Sequence, residues 1–137
     1  MIIHINKVND KAIIPTKRSK YAASYDLYAC TTTMTVIPPH QTVKLRTGLA
    51  IELPHGYFAG IVARDGLATT QGLSICQGMA IIDEDYRGEI AVSLHNDSDI
   101  PKTINPMEHV AQMIVMPYLP LDFVEVDKLT KTERRDA

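Results

Sequence analysis

At 137 residues the chain has the length of one domain, spanning 1–137, and it is long enough to bury about two-thirds of the surface its unfolded form exposes. Apolar residues make up 45% and the net charge is −2, ordinary for a soluble globular protein and contrary to the basic face a nucleic-acid binder needs. The opening MIIHINKV is too short in its apolar run for a signal peptide, no run nears the ~18 apolar residues of a membrane span, and the two cysteines, Cys30 and Cys76, make neither a disulfide framework nor a zinc site, so free, apolar-packed thiols in a cytoplasmic setting are expected.

Residues 1–8 read as a first strand and residues 9–12 as a polar turn. Residues 15–20 form a loop with Lys17, Arg18 and Lys20, read as a solvated charge run. In residues 21–30, YAASYDLYAC, Asp26 stands among small and apolar neighbours, where a carboxylate needs a partner or caps a turn. Residues 31–36 are β-branched and predict a strand ended by Pro38 and Pro39. The clearest period-two pattern follows: Val43, Leu45, Thr47, Leu49, Ile51 and Leu53 share one parity, and Lys44, Arg46, Gly48 and Glu52 the other. Gly48 inside it predicts a bulge or sharp bend.

After a turn at residues 54–56, residues 57–63 predict a strand. Residues 64–72, RDGLATTQG, are the one stretch able to turn helical, and Gly66 and Gly72 hold it to a turn or two. Further strands are expected at residues 73–77 and around Ile90, Val92 and Leu94. Residues 110–116 are apolar on both parities, as in a strand covered on both faces, and residues 123–127 alternate again. Short strands punctuated by eight prolines and seven glycines, with no helical periodicity, predict an all-β jelly-roll sandwich or barrel with at most one short helix.

The chemistry concentrates at residues 78–89, GMAIIDEDYRGE. An apolar run drops into a polar turn that offers a carboxylate, Asp83, and a ring, Tyr86, three residues apart. Such a carboxylate can deprotonate a water, and such a ring can pack against a flat ligand. On residue chemistry alone, a plain β-hairpin with an acidic loop accounts for the stretch slightly better.

Four stretches, in order, resemble the motifs of the trimeric dUTPases. YAASYDLYA at residues 21–29 resembles the first, AAGYDLYA; ARDGLA at 63–68 the second, PRSGLA; GMAIIDEDYRGE the third; EHVAQMI at 108–114 the fourth, GDRIAQLI. KLTKTERRDA at 128–137 resembles the lead-in to a glycine-rich fifth motif that is absent from this sequence, and truncation at Ala137 is the favoured reading.

The resemblance implies hydrolysis of dUTP to dUMP and pyrophosphate with Mg2+, keeping uracil out of DNA and supplying dUMP for thymidylate synthesis. It implies a homotrimer with sites at subunit interfaces, and no nucleic-acid or membrane partner. By the same resemblance, Asp83 is the general base and Tyr86 packs on the deoxyribose. The hairpin from Gln77 through Ile81 and Ile82 holds uracil by backbone groups. Arg64, Asp65, Gly66 and Gln112 occupy the phosphate positions, and Asp26 reaches the metal through waters.

Departures from the family pattern qualify the activity. Asp65 stands where the family has serine, so an acceptor-only charge replaces a phosphate donor. Ala80 replaces a glycine of the uracil segment, Gln77 sits where Asn or Asp is common, and Met107 and His109 replace Gly and Arg. Two alternatives stay open: a catalytically weak nucleotide-sensing or protein-binding relative, supported by Asp65, and a dCTP deaminase, for which Glu89 is the only suitably placed acid.

Overall fold

The computed structural model describes residues 1–135; the end of the expected lead-in, Asp136 and Ala137, lies outside the described residues. Eleven strands and one helix are built: β1 (His4–Lys7), β2 (Tyr25–Tyr28), β3 (Thr35–Ile37), β4 (Thr42–Arg46), β5 (Leu49–Glu52), β6 (Tyr57–Ala63), α1 (Asp65–Gln71), β7 (Leu73–Ile75), β8 (Ala80–Ile82), β9 (Ala91–Asn96), β10 (Lys102–Ile104) and β11 (His109–Pro117). All pairings are antiparallel, in a four-stranded sheet β2-β11-β6-β8, a three-stranded sheet β4-β9-β7, and the pairs β1-β5 and β10-β3. This is the expected all-β jelly-roll type of sandwich.

Period-two patterning sends one parity of most strands inward, while β5 and β6 are also covered at Ala50 and Gly60. Leu27, Ile37, Leu45, Ile51, Ile61, Leu73, Val92 and Ile104 come from all four sheets and meet in a single buried cluster. The long alternation breaks where Gly48 predicts it. Gly48 takes φ 72°, and a Cβ there would lie 2.9 Å from the Ala12 Cβ, so only glycine fits. The chain turns from β4, paired with β9, to β5, paired with β1, without losing parity. Thr47 stays buried in the bend because its hydroxyl donates to the Ile90 carbonyl at 2.7 Å.

Asn96, fully buried at the end of β9, is satisfied on every side. Its amide donates to the Ile37 and Ile100 carbonyls at 2.9 and 2.8 Å, and its oxygen accepts from the Ser98 N–H and hydroxyl at 2.9 and 2.7 Å. The helix is two turns long and stops at Gly72, whose φ of 68° is the left-handed cap that glycine supplies.

Three expectations change. Residues 31–34 bend, and the strand begins only at Thr35. Cys76 is exposed, so apolar packing describes Cys30 better than Cys76. Residues 123–127 form no strand; their alternation is real, but Phe123 and Val124 are 92% and 80% exposed because no strand of the same chain offers them an edge. β11 is central in its sheet, with Val110, Ala111 and Met113 buried and Ile114, Val115 and Met116 half-covered. No helix among the described residues is long and apolar enough to cross a membrane.

Candidate active site

The segment expected as a uracil hairpin, Gln77 through Ile82, instead joins two sheets: β7 pairs with β9, β8 pairs with β6, and Gly78 at φ 79° turns the chain between them. One edge of β8 is bonded to β6, through Ala59↔Ile82, Gly60↔Ile81 and Ile61↔Ala80. The other edge is the end of its sheet and borders a cleft of about 400 Å³. Gln77, Ile81, Ile82, Asp83 and Tyr86 line that cleft. Lys44 and Ser93, paired across β4 and β9, form the opposite wall. An open strand edge presents unpaired N–H and C=O groups in alternation, which suits a planar ligand with alternating acceptors and donors.

The turn after β8 carries the cleft's reactive groups. The Tyr86 N–H donates to the Asp83 carbonyl at 3.1 Å, and the Tyr86 hydroxyl donates to the Glu89 carbonyl at 3.1 Å. Glu84 points away from the cleft. It accepts from the Gly56 N–H at 2.6 Å and from His55 Nδ1–H at 2.9 Å, and the Tyr118 hydroxyl faces it. The His55 bond first, then the Gly56 N–H and Tyr118, hold the Glu84 carboxyl down to about 2. Tyr118 is pushed up in turn by the same carboxylate. Arg87 donates to the Glu84 carbonyl at 2.6 Å and to Glu52 at 3.2 Å.

A second group gathers where β2 meets β11. Asp26 is directly opposite Gln112, and Tyr28 is opposite His109. Between them the register shifts: Val110 has no partner on β2, and Val110 and Ala111 are both buried. This bulge turns His109 onto the face of Gln112. There His109 Nε2 lies 2.9 Å from Asp26 Oδ1, and its ring is 5.8 Å from that of Tyr28. Burial lowers the His109 pKa, with Arg64 and Arg18 adding to that effect and Asp26 opposing it. Gln112 accepts from the Ser24 hydroxyl at 2.7 Å and donates to the Ala63 carbonyl at 3.0 Å, tying β11 to the start of the helix.

Arg64, the helix N-cap, folds its guanidinium over Gly66, where a Cβ would lie 3.7 Å from its Cζ. Its Nε is buried without a hydrogen-bond partner. Asp65 begins the helix with its carboxylate exposed. Among the described residues no three carboxylates, histidines or cysteines form a metal cage.

The two groups sit at opposite ends of β6. Asp83 follows Ile82, which pairs with Ala59 near the start of β6, whereas Arg64 follows Ala63 at its end. At about 3.3 Å per residue, some six residues of strand put them about 20 Å apart.

A family model described as dUTPase matches residues 10–137. The chain belongs to the dUTPase family.

Its relatives agree with this dUTPase assignment. A deoxyuridine 5'-triphosphate nucleotidohydrolase of Hydrogenobaculum sp. (strain Y04AAS1) is 40% identical over 137 residues, covering 100% of this chain and 94% of the relative. One from Desulfitobacterium hafniense is 41% identical over 122 residues, 88% of this chain and 81% of the relative. Among solved structures, the Staphylococcus bacteriophage 80alpha dUTPase with dUpNHpp superposes with a TM-score of 0.86 at 19% identity, covering 96% of this chain and 92% of that one. The dUTPase from phage phi11 of S. aureus, described with a structural Mg(II) ion, gives 0.83 at 19% identity, covering 93% and 98%.

The dUTPase motifs thus fall into the two groups described: the third lines the cleft, while the first, second and fourth meet across β2, β11 and the start of α1. Sequence reading missed the Asp26–His109 pair, because a bulge has no signature in apolar periodicity. It also missed Lys44, whose only signal was its outward parity. Glu89 is engaged elsewhere, 3.5 Å from Arg46 and accepting from the Gly48 N–H at 3.3 Å.

Proposed function

We propose that this chain hydrolyses dUTP to dUMP and pyrophosphate at sites shared between the subunits of a homotrimer. The observation that carries the reading is the distance along β6. A general base must come within hydrogen-bond reach of the attacking water, and that water must sit against a phosphate. Asp83 and Arg64 of one chain, about 20 Å apart, do not meet on one triphosphate. The cleft of one subunit facing the phosphate group of another brings them together, and the half-covered β11 and exposed apolar residues 119–129 supply contact surface.

Uracil enters the cleft against the open edge of β8, read by backbone groups between Gln77 and Ile82. Ile81 and Ile82 exclude water from it. The Tyr86 ring packs on the deoxyribose and leaves no room for a 2′-hydroxyl. Asp83 takes a proton from water as its oxygen bonds to phosphorus, and pyrophosphate leaves with the electrons of the broken bond. Arg64 grips phosphate oxygens, which explains a buried Nε with no partner in the chain itself. Gly66 lets the phosphates approach the backbone, Gln112 donates its amide to them, and Asp65 flanks them.

The donor set fits a metal that arrives with the nucleotide: Asp26 and Asp83 are single carboxylates rather than part of a three-ligand cage among the described residues, and Mg2+ is commonly held by one or two carboxylates and substrate phosphates. Bound there, Mg2+ would neutralise charge developing on the phosphates. Asp26, with His109 at 2.9 Å, would hold such a metal through its waters. The free Cys30 and Cys76 accord with a cytoplasmic enzyme of one domain over residues 1–137.

Pyrophosphate release from dUTP with Mg2+, run beside dTTP, dCTP and UTP and repeated with Asp83→Asn, tests the reading. Release from dUTP alone, reduced a hundredfold or more in the variant, supports it. Tight dUTP binding without release favours the sensing relative, whose one supporting observation is the exposed carboxylate of Asp65. Ammonia release from dCTP favours the deaminase, against which stands the engagement of Glu89 by Arg46 and Gly48.

A further inference from the structure

The turn that carries Asp83 lies between two hollows. One is the nucleoside cleft. The other, about 580 Å³, is lined by Phe58, Ile81, Glu84, Asp85 and Tyr118, and Asp83 and Ile81 are walls of both. On the second side Asp83 borders a hollow walled by Phe58 and Tyr118, so its position depends on how the turn is moored.

Most bonds of the turn are internal to it: Tyr86 N–H to Asp83, Tyr86 hydroxyl to Glu89, Arg87 to the Glu84 carbonyl. Three side chains tie the turn outward. Glu89, at the end farther from Asp83, accepts from the Gly48 N–H and meets Arg46. Arg87 reaches Glu52, but both are more than half exposed, and such a pair contributes little. Glu84 is only 25% exposed and is held by two donors of the turn at residues 54–57.

That second turn is itself anchored. Gly56 gives its N–H to Glu84 and accepts the Tyr118 N–H at 3.0 Å. Its φ of 91° aims the N–H there, a conformation that favours glycine. The chain of bonds from Glu84 through Gly56 to Tyr118 therefore joins the base-bearing turn to the start of β6 and to the end of β11.

We infer that Glu84 is the positioning residue for Asp83, mooring the reactive turn through Gly56, His55 and Tyr118. The inference rests on Asp83 being the base of the proposed reaction. Glu84 lines the second hollow and not the nucleoside cleft. It sets the height of its neighbour over the cleft, where displacement by about 1 Å costs on the order of a hundredfold in rate.

The test compares wild type, Glu84→Ala and Glu84→Gln, reading kcat and KM for dUTP together with hydrogen exchange at the Tyr86 amide. In Glu84→Ala, kcat is expected to fall tenfold or more with KM within threefold, and the Tyr86 amide to exchange at least tenfold faster. Glu84→Gln keeps an oxygen for the Gly56 N–H and should recover most of both. Unchanged exchange and kcat in Glu84→Ala overturn the inference, as does an equal loss in kcat and 1/KM, which marks general damage to the cleft. Should wild type release no pyrophosphate, the proposed reaction fails, and the exchange comparison still decides whether Glu84 moors the turn.

Discussion

Tyr86 lies directly over Gly88: a Cβ built on Gly88 would stand 2.5 Å from the tyrosine hydroxyl oxygen and 2.7 Å from its Cζ. The glycine therefore lets the ring fold back toward the Glu89 carbonyl, in the pose that walls the cleft. Gly88→Ala is expected to push the ring out of that pose. Steady-state kinetics should show KM for dUTP up about tenfold, near 1.4 kcal/mol, and a smaller preference for dUTP over UTP.

Asp65 places an exposed negative charge one residue from Arg64, the cation that the triphosphate would use. Solvent screens an exposed carboxylate, so the penalty is far below that of a buried pair. Asp65→Ser should raise kcat/KM for dUTP about tenfold at low ionic strength. The gain should shrink as salt is added, and the same increase at every salt concentration would show that charge is not the cause.

Asn96 satisfies four hydrogen bonds while fully buried. Asn96→Ala takes the side-chain amide from the Ile37 carbonyl and the acceptor from the Ser98 N–H, while the Ser98 hydroxyl keeps the Ile100 carbonyl at 3.0 Å. A loss of about 3 kcal/mol in unfolding free energy is expected from urea denaturation, with kcat per folded molecule unchanged.

The Glu84 carboxyl is depressed from 4.5 to about 2 by its donors in the folded protein. The native state thus favours the ionised form, and the stability this confers is fully present above about 4.5 and is lost as pH falls through about 2. Wild type and Glu84→Gln should differ by a constant unfolding free energy above pH 5, and the difference should shrink steadily across that window. Parallel curves down to pH 2 would contradict the assignment.

The strands were legible because burial on one face writes period two into the sequence, and Gly48 announced the bend that divides β4 from β5. The failures share a cause. Residues 123–127 alternate, yet alternation reports two unlike faces and not a partner edge, which the single chain lacks. The motif residues were legible by type, but their division between the two ends of β6 was not, since adjacency in a motif list carries no distance. Gln77 to Ile82 looked like a hairpin because short loops usually join paired neighbours; here β7 and β8 join different sheets, and the cleft lies between β8 and the Lys44–Ser93 pair of β4 and β9. His109 was legible as a replacement for the family's arginine, but its partner, Asp26, follows from the bulge.

The unpaired residue in β11 also constrains how this gene can change. Deleting the Val110 codon would leave a regular ladder, the better strand by hydrogen bonding alone, with His109 two residues before Gln112 and still on the face of Asp26. It would also take a fully buried side chain out of the core. A one-codon loss at this strand is thus opposed by the interior and not by the phosphate group.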